Sequence, residues 1–380
     1  MSGAYLDYNA TAPVRPQAAE AVARALAVGG NPSSVHAAGR AARALMEEAR
    51  GQVARLIGAG PSSIAFVSGG TEANALAIGS AVAGGSGRLI VSAIEHDSVL
   101  EAARHSGAEV ELLPVDGRGV ADLDWLAARL SRWDAADGAP FVALMLANNE
   151  TGVIQPVARA AELVRAAGGW LHVDAVQAAG KIDIDVRALG ADTLALSAHK
   201  LGGPQGVGAL WFAARANLAR RQHGGGQERG RRAGTENVPG IAGFGAAAQA
   251  AAEGLAVLAA QAPWRDAAEA ALEEAGAVIV GGAAERLPNT LCFAALGVPS
   301  ELQVMGLDLA GVMVSAGAAC SSGKVKPSHV LTAMGLGEIA GCSLRASGGW
   351  ATSEVDWRRL VEAWAEVTGR HAARRRAPAA

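Results

Sequence analysis

Only four lysines occur in this chain, Lys181, Lys200, Lys324 and Lys326, and Lys200 closes the run Ser197-Ala198-His199-Lys200 ahead of Gly202-Gly203-Pro204. Glycines there let a ligand come close to the backbone. An amine so placed could form a Schiff base with a carbonyl compound, whereas a lysine considered alone is a solvated surface charge. Asp174 ends the apolar run Trp170-Leu171-His172-Val173. A carboxylate entering a partly dry region needs a cationic or protonated partner, such as a pyridine nitrogen, unless it caps the next helix. Ser68-Gly69-Gly70-Thr71-Glu72 is a small-residue passage from strand to helix. Its free N–H groups and hydroxyls suit a phosphate, with an ordinary threonine cap as the alternative. Neither G-x-x-x-x-G-K-[ST] nor G-x-G-x-x-G is present, which points away from common nucleotides to another phosphate-bearing cofactor.

Further polar groups follow the same pattern. Glu95-His96-Asp97, Asn148-Asn149-Glu150-Thr151-Gly152 and Gln177 also follow candidate strands. His96 could stack on a flat ring or move protons near neutrality, or serve as a satisfied structural residue. Arg345 offers a fork of N–H donors to a substrate carboxylate, and a structural salt bridge would use it equally well. Cys320 lies in the small-residue stretch Ser315-Ala316-Gly317-Ala318-Ala319-Cys320-Ser321-Ser322-Gly323-Lys324. That composition is unsuited to core packing, so an accessible thiol is expected, and Lys324 and Lys326 favour its thiolate. Cys292 and Cys342 read as buried small hydrophobes. Three widely spaced cysteines with no C-x-x-C argue against a disulfide framework or a structural zinc site, and no metal is expected.

The elements that must position these groups are legible as an alternation. Short apolar runs at 64–67, 89–92, 110–113, 141–146, 170–173, 193–196 and 208–212 alternate with helical patterns such as 71–83 and 157–167. That rhythm predicts an α/β fold with a mostly parallel sheet, whose ligands sit outside the carboxyl ends of the strands. Leu45, Ala49, Val53 and Leu56 predict an upstream helix, with Ser33 and Ser34 placed to cap it. Residues 241–262 read as a buried helix rather than a membrane span. Beyond it, strands at 278–280, 290–293 and 312–315 and a helix at 355–371 predict a smaller α+β part, followed by a loose Arg374-Arg375-Arg376 tail. The expected division is a large domain over 15–258 and a small one made of 1–14 with 259–380.

Composition bounds the function. At 380 residues, 51% hydrophobic and 18% charged, the chain is too apolar for disorder and long enough for an enzyme-sized core. Thirty-three basic against thirty-six acidic residues leave a formal charge of −3, so neither nucleic acid nor an anionic membrane is an expected partner. Met1-Ser2-Gly3-Ala4-Tyr5-Leu6-Asp7 lacks an export-signal pattern, and a cytoplasmic location is expected.

Ser197-Ala198-His199-Lys200 with Asp174-Ala175-Val176-Gln177 upstream resembles the pyridoxal-phosphate lysine region of the cysteine desulfurases, and the likeness runs almost end to end. Tyr5-Leu6-Asp7-Tyr8-Asn9-Ala10-Thr11 looks like their opening strand and Ser68-Gly69-Gly70-Thr71-Glu72-Ala73-Asn74 like their phosphate turn. Glu95-His96, Asn148-Asn149-Glu150-Thr151-Gly152, His223 to Glu228 and Arg232-Ala233-Gly234-Thr235-Glu236-Asn237 fall in family order. Cys320 with Pro327-Ser328-His329-Val330-Leu331 resembles the long mobile loop of the NifS/IscS-type group.

The resemblance implies the pyridoxal-phosphate-dependent aminotransferase type I fold and a homodimer with active sites at its interface. Lys200 would hold the cofactor, Asp174 its ring nitrogen and Gln177 its ring hydroxyl, with His96 stacked on the ring. Gly70, Thr71, Ser197 and His199 would bind phosphate, with Thr235 reaching across from the other subunit. Asn149 and Arg345 would hold the carboxylate of L-cysteine. Lys200 would move the α-proton and His96 the proton of the substrate thiol. Cys320 would take the sulfur as a persulfide, leaving alanine, and pass it to an acceptor or iron-sulfur scaffold protein. Ala346 and Gly348-Gly349-Trp350 depart from the family pattern, in which a larger residue and another arginine are frequent. A selenocysteine lyase or aminotransferase of the same fold would not need Cys320, and a non-catalytic sulfur-assembly platform would not need Lys200 and Asp174.

Overall fold

The computed structural model describes residues 3–317 and 327–376. A short first strand, β1 (Ala4–Tyr5), precedes the seven strands of the main sheet. These are β2 (Ile64–Val67), β3 (Arg88–Ser92), β4 (Glu109–Leu113), β5 (Phe141–Ala143), β6 (Trp170–Asp174), β7 (Thr193–Ser197) and β8 (Gly208–Phe212). Their order across the sheet is β2-β8-β7-β6-β5-β3-β4, parallel from β7 through β4 and antiparallel where β8 meets its two neighbours. Parallel strands covered on both faces need apolar side chains on both, and β5 and β7 are buried throughout. Regular pairing of β5 stops at Ala143, short of the expected residue 146. The N–H groups of Leu144 and Leu146 still donate to His172 O and Asp174 O, at 3.0 and 2.8 Å.

The Ala37–Leu56 helix is capped by His36, whose Nδ1 accepts from Gly39 N–H at 3.3 Å, and not by the expected Ser33 or Ser34. Those serines are spent in a turn, their N–H groups donating to the side chain and carbonyl of Asn31. The alanine-rich stretch expected as one helix is three, Val238–Glu253, Leu255–Ala259 and Ala262–Glu274. Gly254 and Pro263 account for the breaks: one lowers helix propensity and the other belongs in a first turn. Among the described residues no single helix is long and apolar enough to cross a membrane, although the bent pair Val238–Glu253 with Leu255–Glu274 passes that test together.

A second, four-stranded antiparallel sheet joins β9 (Val278–Val280), β10 (Thr290–Ala294), β12 (Ser315–Ala316) and β13 (Ser343–Ser347) in the order β12-β13-β10-β9. The strand expected at 312–315 is split: β11 (Val312–Met313) pairs in parallel with β1, and β12 pairs with β13. Phe293, Trp357 and Trp364 are fully buried in the core under this sheet, the Phe293 and Trp364 rings meeting edge to face at 5.9 Å. The last helix, Glu354–Arg376, runs through the residues expected as a loose tail. Cys292 is buried as expected, but Cys342 is half-buried.

The departure at Gly348-Gly349-Trp350 has a packing reason. Trp350 Nε1–H donates to Pro13 O at 3.0 Å and its ring lies under the Arg15 guanidinium. A methyl group at Gly349 would overlap the buried Tyr8 ring. Gly349→Ala is therefore expected to cost about 1–3 kcal/mol of stability, seen as a lower urea midpoint. An unchanged midpoint would contradict this close approach.

Candidate active site

Lys200, His199, Asp174, Gln177, Ser197, Gly70, Thr71, His96 and Asn149, scattered over more than a hundred positions, all line one cavity of about 220 Å³ at the carboxyl edge of the main sheet. A wider cavity shares His96, Asn149, Gln177 and Lys200 with it and adds Gly317, Pro327, His329 and Arg345. Asp174 ends β6, Ser197 ends β7, and His199 and Lys200 occupy the turn that follows. Gly70 and Thr71 open the Gly70–Ala83 helix, so Thr71 is not the cap; the cap is Gly69, which supplies no side-chain acceptor. Amides of that first turn are left for an anion.

Lys200 Nζ donates to the carbonyl oxygens of Asn9 and Ala10, at 2.7 and 2.8 Å. Burial, then the nearby Arg345 guanidinium, lowers its pKa to about 8. Asp174 is buried but held by neutral donors: Asn74 Nδ2 to Oδ2 at 2.8 Å and Val176 N–H to Oδ1 at 2.9 Å. The latter bond closes a turn, so Asp174 does not cap a helix. Glu95, fully buried beside it, has its pKa raised well above the usual carboxylate range, by burial first and the Asp174 charge second. Its Oε1 accepts from Met145 N–H, and Oε2 has no partner among the described residues. Burial also lowers the pKa of His199 to about 4, and its Nδ1 meets Thr11 Oγ1 at 3.2 Å. His96 stands at the mouth, its pKa lowered chiefly by desolvation.

Arg345, on β13, is buried and makes the structural salt bridge considered for it. Nη2 donates to Asp7 Oδ1 at 2.8 Å and Nη1 to Asn149 O at 3.1 Å. Its Nε and Asn149 Oδ1 are buried with no partner among the described residues. Thr235 is exposed and does not line the inner cavity, and Cys320 lies outside the described residues, between Gly317 and Pro327.

Three groups without an assigned role turn out to be central. Asn9 supplies a carbonyl to Lys200 Nζ and another bond from Gln177 Nε2 at 2.9 Å. Lys181 Nζ, buried and with its pKa well below the usual lysine value, donates to Asn9 Oδ1 and Gln177 Oε1 at 2.6 and 2.7 Å. Asn74 holds Asp174. The signal for Lys181 was its spacing of four from Gln177, and for Asn74 its place four residues into the helix after Gly70.

These residues fit pyridoxal phosphate on their own chemistry. The cavity combines a helix amino end without a side-chain cap, a carboxylate bonded to neutral donors, and an amine of lowered pKa. The aminotransferase class-V family matches residues 4–360. The chain is 45% identical to a cysteine desulfurase of Cereibacter sphaeroides, with 95% of each covered. It is 40% identical to cysteine desulfurase IscS 1 of Archaeoglobus fulgidus, with 94% of this chain and 95% of that one covered. Among solved structures, a NifS-like protein from Rickettsia africae superposes with a TM-score of 0.88 at 32% identity, over 97% of this chain and 99% of that one. With strand-end chemistry, fold and sequence in agreement, the chain belongs to the class-V aminotransferases, among their cysteine desulfurases.

Proposed function

We propose that this protein uses pyridoxal phosphate to take sulfur from L-cysteine, leaving L-alanine, and hands the sulfur through Cys320 to an acceptor protein. The observation that carries the reading is one cavity facing a lysine amine of pKa about 8, an aspartate without a cationic hydrogen-bond partner, and an uncapped helix amino end. The cofactor supplies, when bound, a ring that stabilises negative charge on the carbon next to the substrate nitrogen. Asp174 would hold the protonated ring nitrogen, Gln177 the ring hydroxyl oxygen, and His96 would stack on the ring. Gly70, Thr71, Ser197 and His199 would bind the phosphate, with Thr235 supplied by a second subunit.

Lys200, with its pKa lowered, exchanges a proton at the α-carbon near neutral pH. Asn149 and Arg345 orient the substrate carboxylate; the Nε of Arg345, still unpartnered, is a donor available to it. His96 manages the proton of the substrate thiol. The Cys320 thiolate bonds to the substrate sulfur as the carbon–sulfur bond breaks, so Cys320 ends as a persulfide. Gly317 and Pro327, either side of residues 318–326, both line the outer cavity, which supports delivery of sulfur from that position. Pairing of β1 with β11 supports assigning 1–14 to the smaller domain with 259–380, against a cofactor domain over 15–258. The protein acts as a cytoplasmic homodimer in iron-sulfur cluster assembly or a related sulfur-transfer route.

The test follows alanine and sulfide released from L-cysteine in the presence of a reductant. Lys200→Ala is expected to lose both the cofactor's characteristic colour with this lysine and turnover, by on the order of 10²- to 10⁴-fold. Cys320→Ser is expected to keep the colour and lose sulfide. Undiminished sulfide from Cys320→Ser would defeat the persulfide role.

A second measurement reads the amine itself. A lysine with its pKa lowered to about 8 gains neutral, nucleophilic form as pH rises through that value, well before a solvated lysine does. In protein stripped of cofactor, pulse acylation followed by peptide mass analysis is expected to show Lys200 labelling rising around pH 8. A rise only near pH 10 would contradict the desolvated amine.

A further inference from the structure

Behind the cavity runs a hydrogen-bond chain in which chemistry fixes the direction of every link. Trp170, His172 and Asp174 alternate along β6, so the pleat sets them on one face, and Thr193 of β7 is registered opposite His172. Trp170 Nε1 can only donate, and it donates to Thr193 Oγ1 at 3.0 Å. At the other end, Asn74 Nδ2 donates to Asp174 Oδ2 at 2.8 Å and to Ser98 Oγ at 2.9 Å. The amide oxygen of Asn74 is then the atom facing His172 Nε2 at 2.9 Å, so that nitrogen carries the hydrogen. Burial holds the His172 pKa to about 3, leaving one ring hydrogen and making Nδ1 an acceptor. Its donor is the Thr193 hydroxyl at 2.9 Å. Ser98, having accepted from Asn74, turns its own hydrogen to His96 Nδ1 at 2.9 Å, where the Ser98 N–H also donates at 3.1 Å.

We infer that His172, fixed by Thr193 as the Nε2–H tautomer, is a positioning residue that acts through Asn74 on two cofactor-facing groups at once. It polarises the donor that holds the Asp174 carboxylate, and through Ser98 it fixes His96 with its hydrogen on Nε2. His172 is fully buried and lines neither cavity, so it acts only through Asn74. Links donated in one direction reinforce one another in a low-dielectric interior. The inference rests on the cofactor reading given above.

Nitrogen-15 spectra of the histidine-labelled holoenzyme test it directly. The expected result is His172 and His96 both as Nε2–H tautomers, with His172 untitrated between about pH 5 and 8. Hydrogen on Nδ1 of His172 would overturn the inference. Thr193→Val removes the hydroxyl and Thr193→Ser keeps it. Thr193→Val is expected to weaken cofactor binding by about two- to tenfold, the worth of one buried hydrogen bond, and to shift the His96 signals, with Thr193→Ser restoring both. A merely structural chain would lower the unfolding midpoint of Thr193→Val alone; equal cofactor affinity and equal His96 signals in the two variants would overturn the inference. Asp174→Asn separates the two claims. If it binds cofactor as tightly as wild type, the cofactor reading itself falls. If it binds weakly while Thr193→Val matches Thr193→Ser, only the role of His172 falls.

Discussion

An amine and a carboxylate that face the same small cavity without neutralising each other is the condition on which this active site depends. Lys200 is bound to backbone carbonyls and Asp174 to an amide and a backbone N–H. A direct ion pair between them would satisfy both and leave neither for a ligand. Keeping them apart costs desolvation energy, and the same burial pushes neighbouring titratable groups toward their neutral forms. Glu95, Lys181 and His199 all lie near the pair with pKa values displaced toward their neutral forms.

Architecture supplies the separation. Asp174 and Ser197 come from the ends of adjacent parallel strands, and the helix amino end at Gly70 follows β2 on the far side of antiparallel β8. Asn9 and Ala10 arrive from the opening segment and accept from Lys200 Nζ. Arg345 comes from the second sheet, where Asp7 orients it. Three stretches of chain distant in sequence thus close around one ring-sized space. The Arg345–Asp7 pair is buried at the arginine, which holds the guanidinium in one orientation.

Much of this was legible. Strands buried on both faces leave continuous apolar runs, and polar residues placed just after them, Asp174 and Ser197 to Lys200 among them, belong to the same sheet edge. What escaped the reading has definite causes. Helix caps are chosen by local turns: Asn31 engages Ser33 and Ser34, and the cap passes to His36. The run Val312-Met313-Val314-Ser315 carries no mark that its two ends pair with different sheets. Asn9 accepts through its backbone carbonyl from a partner 168 positions away and Asn74 donates through its side-chain amide to one 100 positions away, and the sequence names neither partner. The alternation Trp170-Leu171-His172-Val173-Asp174 did hold a readable signal, since period two puts three polar-tipped side chains on one face of an otherwise apolar strand.

Because β1 pairs with β11, two residues near the start of the chain are held by two residues beyond position 310. On the ribosome, then, the Lys200 loop and the turn into the Gly70 helix can be made while Asn9 and Ala10 still lack the platform that carries them to the amine. Seating of the Lys200 amine against its two carbonyls is thereby tied to synthesis of the chain past position 313, and a chain released before that point would carry the lysine without the carbonyl clamp that restrains it.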